Sequence, residues 1–462
     1  MCLGEGDNMG WNEEIALERR AFFQTPTDIP RAFEYSKVYA KAYSNLIREK
    51  TAEASTRIFG TSSPPGVVVY AFGAPARNEM LGYSDADVAV YRSGSSGKEL
   101  AFRQQLIDTL KPFNFTKIDT PVWGTLEDIT TYAKTSVTEA NQIWEAQFIT
   151  GDPSMQNNLE TTRRSAHDTQ TLARNLLFQF LYFDQYYRRK KSADYVNLKY
   201  CTGGVRDLLF PAWYAQLRKG FEPNLRTTPM ERGLKTLAEE GIIGNNPEEY
   251  LAAGATLSYI RDELMQLNPG DVDGRWNETQ AEKMSMAHPR LFASGKEIEG
   301  HLNRARQFVA DAKEKVRTGL CNYFRQTTSR AWQQEKNAII EKETINEPPS
   351  VFENDDLLNM LRIWRMGVGF ITQPSAYVTT LASSDSWTIL ASLLSHEALP
   401  GEIIDEIIRR RGCTKGYEYL LEIAGRNPQL QLKTVKYVLA DTSVEPRFKT
   451  PALKRAKELG IW

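Results

Sequence analysis

The sequence has few cysteines and histidines and no long apolar run. Its four cysteines lie far apart and match neither a disulfide framework nor the spacing of a zinc site, so we expect reduced thiols. The histidines include one His-Asp pair, His167-Asp168, inside a predicted helix, where a structural role is favoured over metal binding. With 462 residues, the chain is long enough for about two to four domains that each bury a core.

The chain also lacks an excess of charge of either sign. Lys and Arg total 57 against 58 Asp and Glu, so there is no global field to hold a polyanion, which disfavours a nucleic-acid partner. The apolar runs are only a few residues long, and the first residues are acidic where a targeting signal would be basic. We therefore expect a cytoplasmic protein with no membrane partner.

The first third of the chain has the pattern of a small α/β unit. Helical spacing over residues 32–60 ends at a Ser- and Pro-rich break. Two β-branched and aromatic runs, at 67–72 and 86–91, then predict strands on either side of a short helix. The next segments predict a helix, a third strand and a long helix, at 98–110, 113–122 and 125–149.

Strand signals nearly vanish beyond this unit. The predicted helices there are 159–187, 206–218, 230–240, 248–267 and 295–338. A polar, Pro-rich linker is predicted at 341–350, and helix pairs at 389–411 and 417–439 fit either HEAT-type hairpins or an irregular bundle. We predict an α+β domain at 1–152 that consists of a small mixed sheet and N-terminal helices. All-α domains at 153–340 and 350–462 follow it.

The segment with a recognisable chemistry is residues 73–87, GAPARNEMLGYSDAD. Residues two apart in a strand share a face, so Asp85 and Asp87 at the start of the second strand present adjacent carboxylates. A cation between them relieves their repulsion, and Mg²⁺ is the natural candidate because it binds carboxylate and triphosphate oxygens. The turn at Gly73 and Ala74 opens a short helix, where backbone N–H groups and the helix dipole would attract phosphate.

Two other segments look similar but predict no site. Asp271 and Asp273 have the same spacing as the first pair, but they lie in a Pro-Gly loop with no strand before them, which is typical of a turn. The basic run at 188–191 ends a predicted helix, where cations favour the helix dipole and solvent.

Residues 73–87 resemble the signature of the polymerase-β-like nucleotidyltransferase superfamily, in which a Gly-Gly or Gly-Ser turn precedes Asp-x-Asp by about a dozen residues. The segments Arg77-x-Glu79 and Tyr83-Ser84-Asp85-x-Asp87 are most similar to the bacterial PII-protein uridylyltransferases. A second segment, NLKYCTGGVRD at 197–207, resembles one that these enzymes carry in the helical domain after the catalytic one. The segment 144–152 also resembles theirs, and the likeness covers about residues 35–335.

The resemblance implies a polymerase-β-like fold and nucleotidyl transfer assisted by two Mg²⁺ ions. Asp85 and Asp87 would bridge the ions. Asp119, which alternates with apolar neighbours in the third strand, is the best candidate for a third carboxylate or general base; the alternative is a solvent-facing strand residue. The implied nucleotide-binding residues are Gly73, Ala74, Arg77, Ser84, Lys199 and Arg206.

Alternatives stay open for some of these residues. Arg77 and Glu79 can pair with each other and orient the short helix without touching the nucleotide. Lys199 and Arg206 suit triphosphate oxygens, but Arg206 could instead pair with Asp207 at a helix start.

The departures from the family bear on function. Ala74 stands where the family has Gly or Ser, which removes one phosphate contact, and we expect the hydrolase and ligand-sensing domains of the family to be missing. The favoured function is transfer of a nucleoside monophosphate, with UMP as the favoured one, from a nucleoside triphosphate to a hydroxyl of a protein acceptor. The acceptor would bind the C-terminal helices. The alternatives are AMP or UMP transfer to another protein, a small molecule or RNA, and an inactive nucleotide-binding interaction module.

Overall fold

A computed structural model provides the structure of the chain. It describes residues 11–79, 86–93, 97–113, 118–119, 123–125, 143–166, 173, 176–180, 194–219, 229–244, 246–268, 271, 274–327, 359, 362–364, 366, 371–372, 376–412, 414, 417, 419–444 and 446–459. The chain divides into two compact units. The first comprises residues 1–130, 141–166 and 184–316, and the second comprises 131–140, 167–183 and 317–462.

The first unit contains a five-stranded mixed sheet. Its strands are β1 (Val67–Ala71), β2 (Ala86–Arg92), β3 (Ile118–Asp119), β4 (Trp123–Gly124) and β5 (Gln147–Gly151). β1 is antiparallel to β2 and β5, whereas β2 is parallel to β3 and β4. All of β1 is buried, as its unbroken apolar run predicts for a central strand.

Helices make up most of the rest of the first unit. They are α1 (Trp11–Phe22), α2 (Ala32–Phe59), α3 (Gly73–Arg77), α4 (Gly97–Leu110), α5 (Pro153–Ala166), α6 (Leu209–Arg218), α7 (Pro229–Glu239), α8 (Pro247–Leu267), α9 (Glu278–Ala287) and α10 (Gly295–Thr327). Residues beyond Val316 in α10 belong to the second unit. A small antiparallel ladder joins β6 (Val196–Asn197) to β7 (Arg275–Trp276).

The second unit is helical where it is described. Its C-terminal helices are α11 (Ala376–Ala382), α12 (Trp387–Ser395), α13 (Gly401–Ile407), α14 (Tyr419–Gly425), α15 (Leu432–Ala440) and α16 (Pro446–Glu458). The predicted breaks at Pro400 and Pro428 separate α12 from α13 and α14 from α15. Within the described ranges, no helix combines the length and the apolar character needed to cross a membrane.

The structure confirms an α+β chain, with the strands at 67–71 and 86–92 and the helices at 32–59 and 97–110 close to their predicted bounds. The predicted long helix at 125–149 is wrong at its end, because residues 147–151 form β5. β5 pairs with β1 and places Phe148 opposite Tyr70, a tertiary contact that overrides local helical spacing. The linker at 341–350 and the His167-Asp168 pair lie outside the described residues.

Candidate functional site

Asp87 lies beside Asp119 in the sheet. β2 and β3 run parallel, and their register pairs Ala86 with Ile118 and Asp87 with Asp119. Positions paired in register on neighbouring strands belong to the same face of a sheet. The backbone therefore brings two of the three predicted acidic positions side by side. Asp85 and Ser84 lie outside the described residues.

Gly73 lies directly against the Asp87 carboxylate. Its φ of +63° is in the left-handed region, and a Cβ at this position would stand 2.6 Å from Asp87 Oδ2. The Phe72 N–H donates to the Asp87 carbonyl oxygen at 3.2 Å, which holds the end of β1 against the start of β2. Glycine is required here both for its backbone conformation and for the space beside the carboxylate.

A buried tyrosine lies under the same carboxylate and was not predicted as a site residue. Tyr43 of α2 is fully buried. Burial raises the pKa of the Tyr43 phenol well above its usual value, and the nearby Asp87 charge adds to the rise. The phenol therefore stays neutral beside Asp87. The available signal was the spacing of Tyr35, Tyr39 and Tyr43 along one face of a predicted helix.

The helix that follows Gly73 is a single turn. α3 ends at Arg77, and the next residue, Asn78, adopts φ 58° in the left-handed region. So short a helix aligns few peptide dipoles, so the attraction that we predicted from a helix dipole is small. Any phosphate contact at Gly73 and Ala74 depends on individual backbone groups.

Arg77, at the end of α3, is half-buried and lies between two carboxylates. Its Nε donates to Glu79 Oε2 and its Nη1 to Glu145 Oε2, both at 2.7 Å. Burial opposes the charged form, but Glu145 and Glu79 raise the pKa of Arg77 above its usual value. Burial also raises the pKa of Glu79, against the effect of Arg77. Arg77 thus orients α3 through these acids, as the pairing interpretation predicts.

Glu145 connects α3 to the helical part of the first unit. It is 1% exposed, and its Oε1 accepts a hydrogen bond of 2.7 Å from Trp213 Nε1 on α6. Gln147 Nε2 also donates to the Ala76 carbonyl oxygen, near the end of α3. The segment 145–147 therefore anchors the short helix from one side. In the sequence, only the resemblance of residues 144–147 pointed to this role.

Two polar residues of the second motif, Asn197 and Asp207, hold its backbone in place. The Asn197 side-chain oxygen accepts hydrogen bonds from the N–H groups of Lys199 and Tyr200, at 3.1 and 3.0 Å. Asp207 Oδ2 accepts from the Gly203 N–H at 2.9 Å, and Asp207 Oδ1 forms a buried ion pair of 2.9 Å with Lys313 on α10. This loop is therefore built into the fold through Asn197 and Asp207.

The two cations predicted for the nucleotide cleft, Lys199 and Arg206, group around one aromatic ring. Lys199 Nζ lies 5.3 Å and the Arg206 guanidinium carbon 6.0 Å from the Tyr200 ring centroid. Both side chains are half-buried. The alternative partner of Arg206, Asp207, pairs with Lys313.

The structure confirms the turn that we predicted at Asp271. Its carboxylate accepts a hydrogen bond of 2.7 Å from the Arg275 N–H, and Gly274 adopts φ +68°. Among the side chains that the structure describes, no group of three or more His, Cys, Asp or Glu residues is placed to hold a metal ion. That set excludes Asp85 and the side chain of Asp119. No protein-family model and no curated protein matches the chain.

Proposed function

We propose that this protein is a nucleotidyltransferase of the polymerase-β-like type. It transfers a nucleoside monophosphate, with UMP as the favoured one, from a nucleoside triphosphate to a hydroxyl of a protein acceptor, and releases pyrophosphate. The observation that carries the proposal is the pairing of Asp87 with Asp119 in register, with Gly73 against the Asp87 carboxylate.

The arrangement around Asp87 suits a divalent cation. Carboxylate oxygens are the ligands that Mg²⁺ prefers, and the missing Cβ of Gly73 lets the Asp87 carboxylate lie directly against the turn that begins α3. In the proposal, Asp85, Asp87 and Asp119 hold two Mg²⁺ ions. When bound, the ions stabilise the charge that develops on the entering and leaving oxygens.

The remaining residues bind and orient the substrates. Gly73, Ala74 and Ser84 contact the triphosphate, and Lys199 and Arg206 neutralise its charge. Arg77, held by Glu79 and Glu145, keeps α3 in place.

In the transfer step, the acceptor oxygen bonds to the α-phosphorus as the bond from that phosphorus to the pyrophosphate oxygen breaks. Asp119 takes the proton from the acceptor hydroxyl. The helices of residues 350–462 bind the acceptor protein.

The proposal is tested by label transfer. The protein is incubated with cell lysate, Mg²⁺ and UTP or ATP labelled at the α-phosphate, and labelled macromolecules are separated by size. We expect a labelled protein with the wild type and loss of more than about 99% of the label with Asp87→Asn, since loss of a metal-binding carboxylate removes several kcal/mol of transition-state stabilisation. Equal labelling by both proteins would refute the assignment.

A glycine pair supplies a matched control. Gly73 and Gly60 both have positive φ, at +63° and +78°, but a Cβ at Gly60 meets nothing within 4 Å. Gly73→Ala and Gly60→Ala therefore introduce similar backbone strain, about 1–2 kcal/mol. We expect only Gly73→Ala to lose labelling, at least about tenfold, because only its methyl group displaces the Asp87 carboxylate. Equal activity of the two variants would show that activity does not depend on the close approach of Gly73 to the Asp87 carboxylate.

A second candidate, an inactive nucleotide-binding interaction module, is favoured by Ala74, which has no hydroxyl to offer a phosphate. It predicts that UTP or ATP with Mg²⁺ raises the melting temperature while no label is transferred. A thermal-shift series run beside the labelling experiment separates the two functions.

A further inference from the structure

A cavity far from Asp87 in the sequence lies between the end of α1, the end of α8 and the segment after α9. Its volume is about 220 Å³. The apolar part of its wall includes Phe23, Tyr259 and Leu291, which are buried, and the two aromatic ring centroids are 4.7 Å apart. These side chains form the apolar part of the wall, and the Arg19 guanidinium lies over both aromatic rings, 5.6 Å from the Phe23 centroid and 4.6 Å from the Tyr259 centroid.

The acidic group in the cavity wall is already neutralised by its neighbours. Glu263 Oε1 forms an ion pair of 3.0 Å with Arg19 Nη1, and Glu263 Oε2 lies 2.7 Å from His288 Nε2. Arg19 also pairs with Asp262 at 2.5 Å. The carboxylates near the cavity therefore have partners within the protein.

The helix ends beside the cavity are satisfied as well. The Arg19 carbonyl oxygen accepts from the Phe23 N–H, and the Arg20 carbonyl oxygen from Gln24 Nε2. The His288 carbonyl oxygen accepts from the N–H groups of Leu291 and Phe292. These hydrogen bonds reduce the negative partial charge that the ends of α1 and α9 would present.

Three guanidinium groups line the same cavity. Arg20 and Arg290 are exposed, and neither forms an ion pair with any described residue. Arg19 is 1% exposed, and its buried Nε has no hydrogen-bond partner within the described part of the chain. The exposed guanidinium groups of Arg20 and Arg290 are therefore the ones open to a ligand.

We propose that this cavity binds a small organic anion, with a phosphate or carboxylate head held by Arg20 and Arg290 and a ring or other apolar body against Phe23 and Tyr259. Guanidinium groups bind such heads through paired hydrogen bonds. The site is separate from the proposed nucleotide site and does not depend on it.

The test uses three probes that dissect the ligand. Phenyl phosphate carries both head and ring, inorganic phosphate carries the head alone, and phenol carries the ring alone. Thermal-shift titrations are run at constant ionic strength. We expect phenyl phosphate to raise the melting temperature with a Kd of about 1 mM, inorganic phosphate to bind more weakly, and phenol to have no effect.

Variants at the exposed arginines complete the test without disturbing the core. Arg20→Ser/Arg290→Ser should weaken phenyl phosphate binding at least about tenfold, while Arg304→Ser, at an exposed arginine elsewhere in the unit, should leave it unchanged. Asp87→Asn should also leave it unchanged, which separates this site from the nucleotide site. Equal binding by wild type and the double variant, or equal binding of phosphate and phenyl phosphate, would overturn the proposal.

Discussion

Two arginines in the first unit, Arg77 half-buried and Arg19 buried, each lie between two acids but have different connections. Arg77 lies between Glu79 and Glu145, and Arg19 lies between Asp262 and Glu263. In both clusters one cation compensates two acids, and the acids raise the pKa of the guanidinium although burial opposes its charge.

The difference lies in the fourth group that each cluster contacts. Glu145 accepts a hydrogen bond from Trp213 and so ties the residues next to Gly73 to α6. Glu263 instead pairs with His288 beside the cavity, and Arg19 Nη2 donates to the Tyr259 carbonyl oxygen, 240 residues away in sequence. One cation between two acids therefore stabilises the candidate site in one place and holds α1 against α8 in the other.

The largest effect is expected when either arginine is replaced. Arg77→Met or Arg19→Met leaves two buried carboxylates without their cation, which should lower the free energy of unfolding by about 3–5 kcal/mol. Urea unfolding of each variant measures this loss. Arg57→Met, in an exposed pair with Glu53, is the control and should change stability by less than about 1 kcal/mol.

Label transfer then separates the two clusters. Per folded molecule, Arg77→Met should lose activity because α3 is released beside Asp87, whereas Arg19→Met should keep it. A fully active Arg77→Met protein would break the distinction between them.

A smaller effect is expected from the hydrogen bonds to the acids. Trp213→Phe removes the donor to Glu145 Oε1 and should cost about 2 kcal/mol of unfolding free energy, since the acceptor is a buried charge. Tyr259→Phe removes a hydrogen bond to Glu263, which still keeps Arg19 and His288, and should cost about 1 kcal/mol. Chemical unfolding of both variants ranks them, and the reverse order would contradict the greater importance of the Trp213 contact.

The Arg19 cluster also makes stability depend on pH. Burial raises the pKa of Asp262 to about 7 although Arg19 opposes the rise, so this carboxyl holds a proton more tightly in the folded chain than in the unfolded one. The folded state is therefore favoured at low pH by this group, and stability falls as pH rises from about 4 to about 7. We expect a fall of about 1 kcal/mol per pH unit in that window.

Asp262→Asn isolates this contribution, because the amide does not titrate. Glu263 acts in the opposite direction, since Arg19 and His288 lower its pKa despite burial, but its contribution is lost only as pH falls through the acidic range. Urea unfolding of wild type and Asp262→Asn between about pH 5 and pH 8 should show the two stabilities diverging as pH changes. Parallel curves would show that Asp262 is charged throughout.

Local pattern predicted the elements that carry the candidate site. The β-branched runs at 67–72 and 86–91 and the glycine between them placed β1, α3 and β2 close to their observed bounds. The pairing of Arg77 with Glu79 was accessible because the two are neighbours in sequence. The catalytic roles of Asp85, Asp87 and Asp119 stay predictions.

Contacts between distant segments could not be predicted in the same way. β5 was predicted as the end of a helix, because the local pattern of residues 147–151 contains no signal that this segment pairs with the edge of β1. The Arg19 cluster joins α1 to α8, and only its two adjacent acids in an apolar helix hinted at burial.

Local sequence patterns indicated where the chain changes direction and supplied the candidate residues for phosphate and metal binding, because periodicity and glycine placement act over a few residues. The register that pairs Asp87 with Asp119, the neutral Tyr43 near Asp87 and the anchoring of α3 by Glu145 and Trp213 depend on the tertiary structure. Such contacts depend on how buried surfaces and charges from separate segments satisfy one another, and no local pattern encodes that choice.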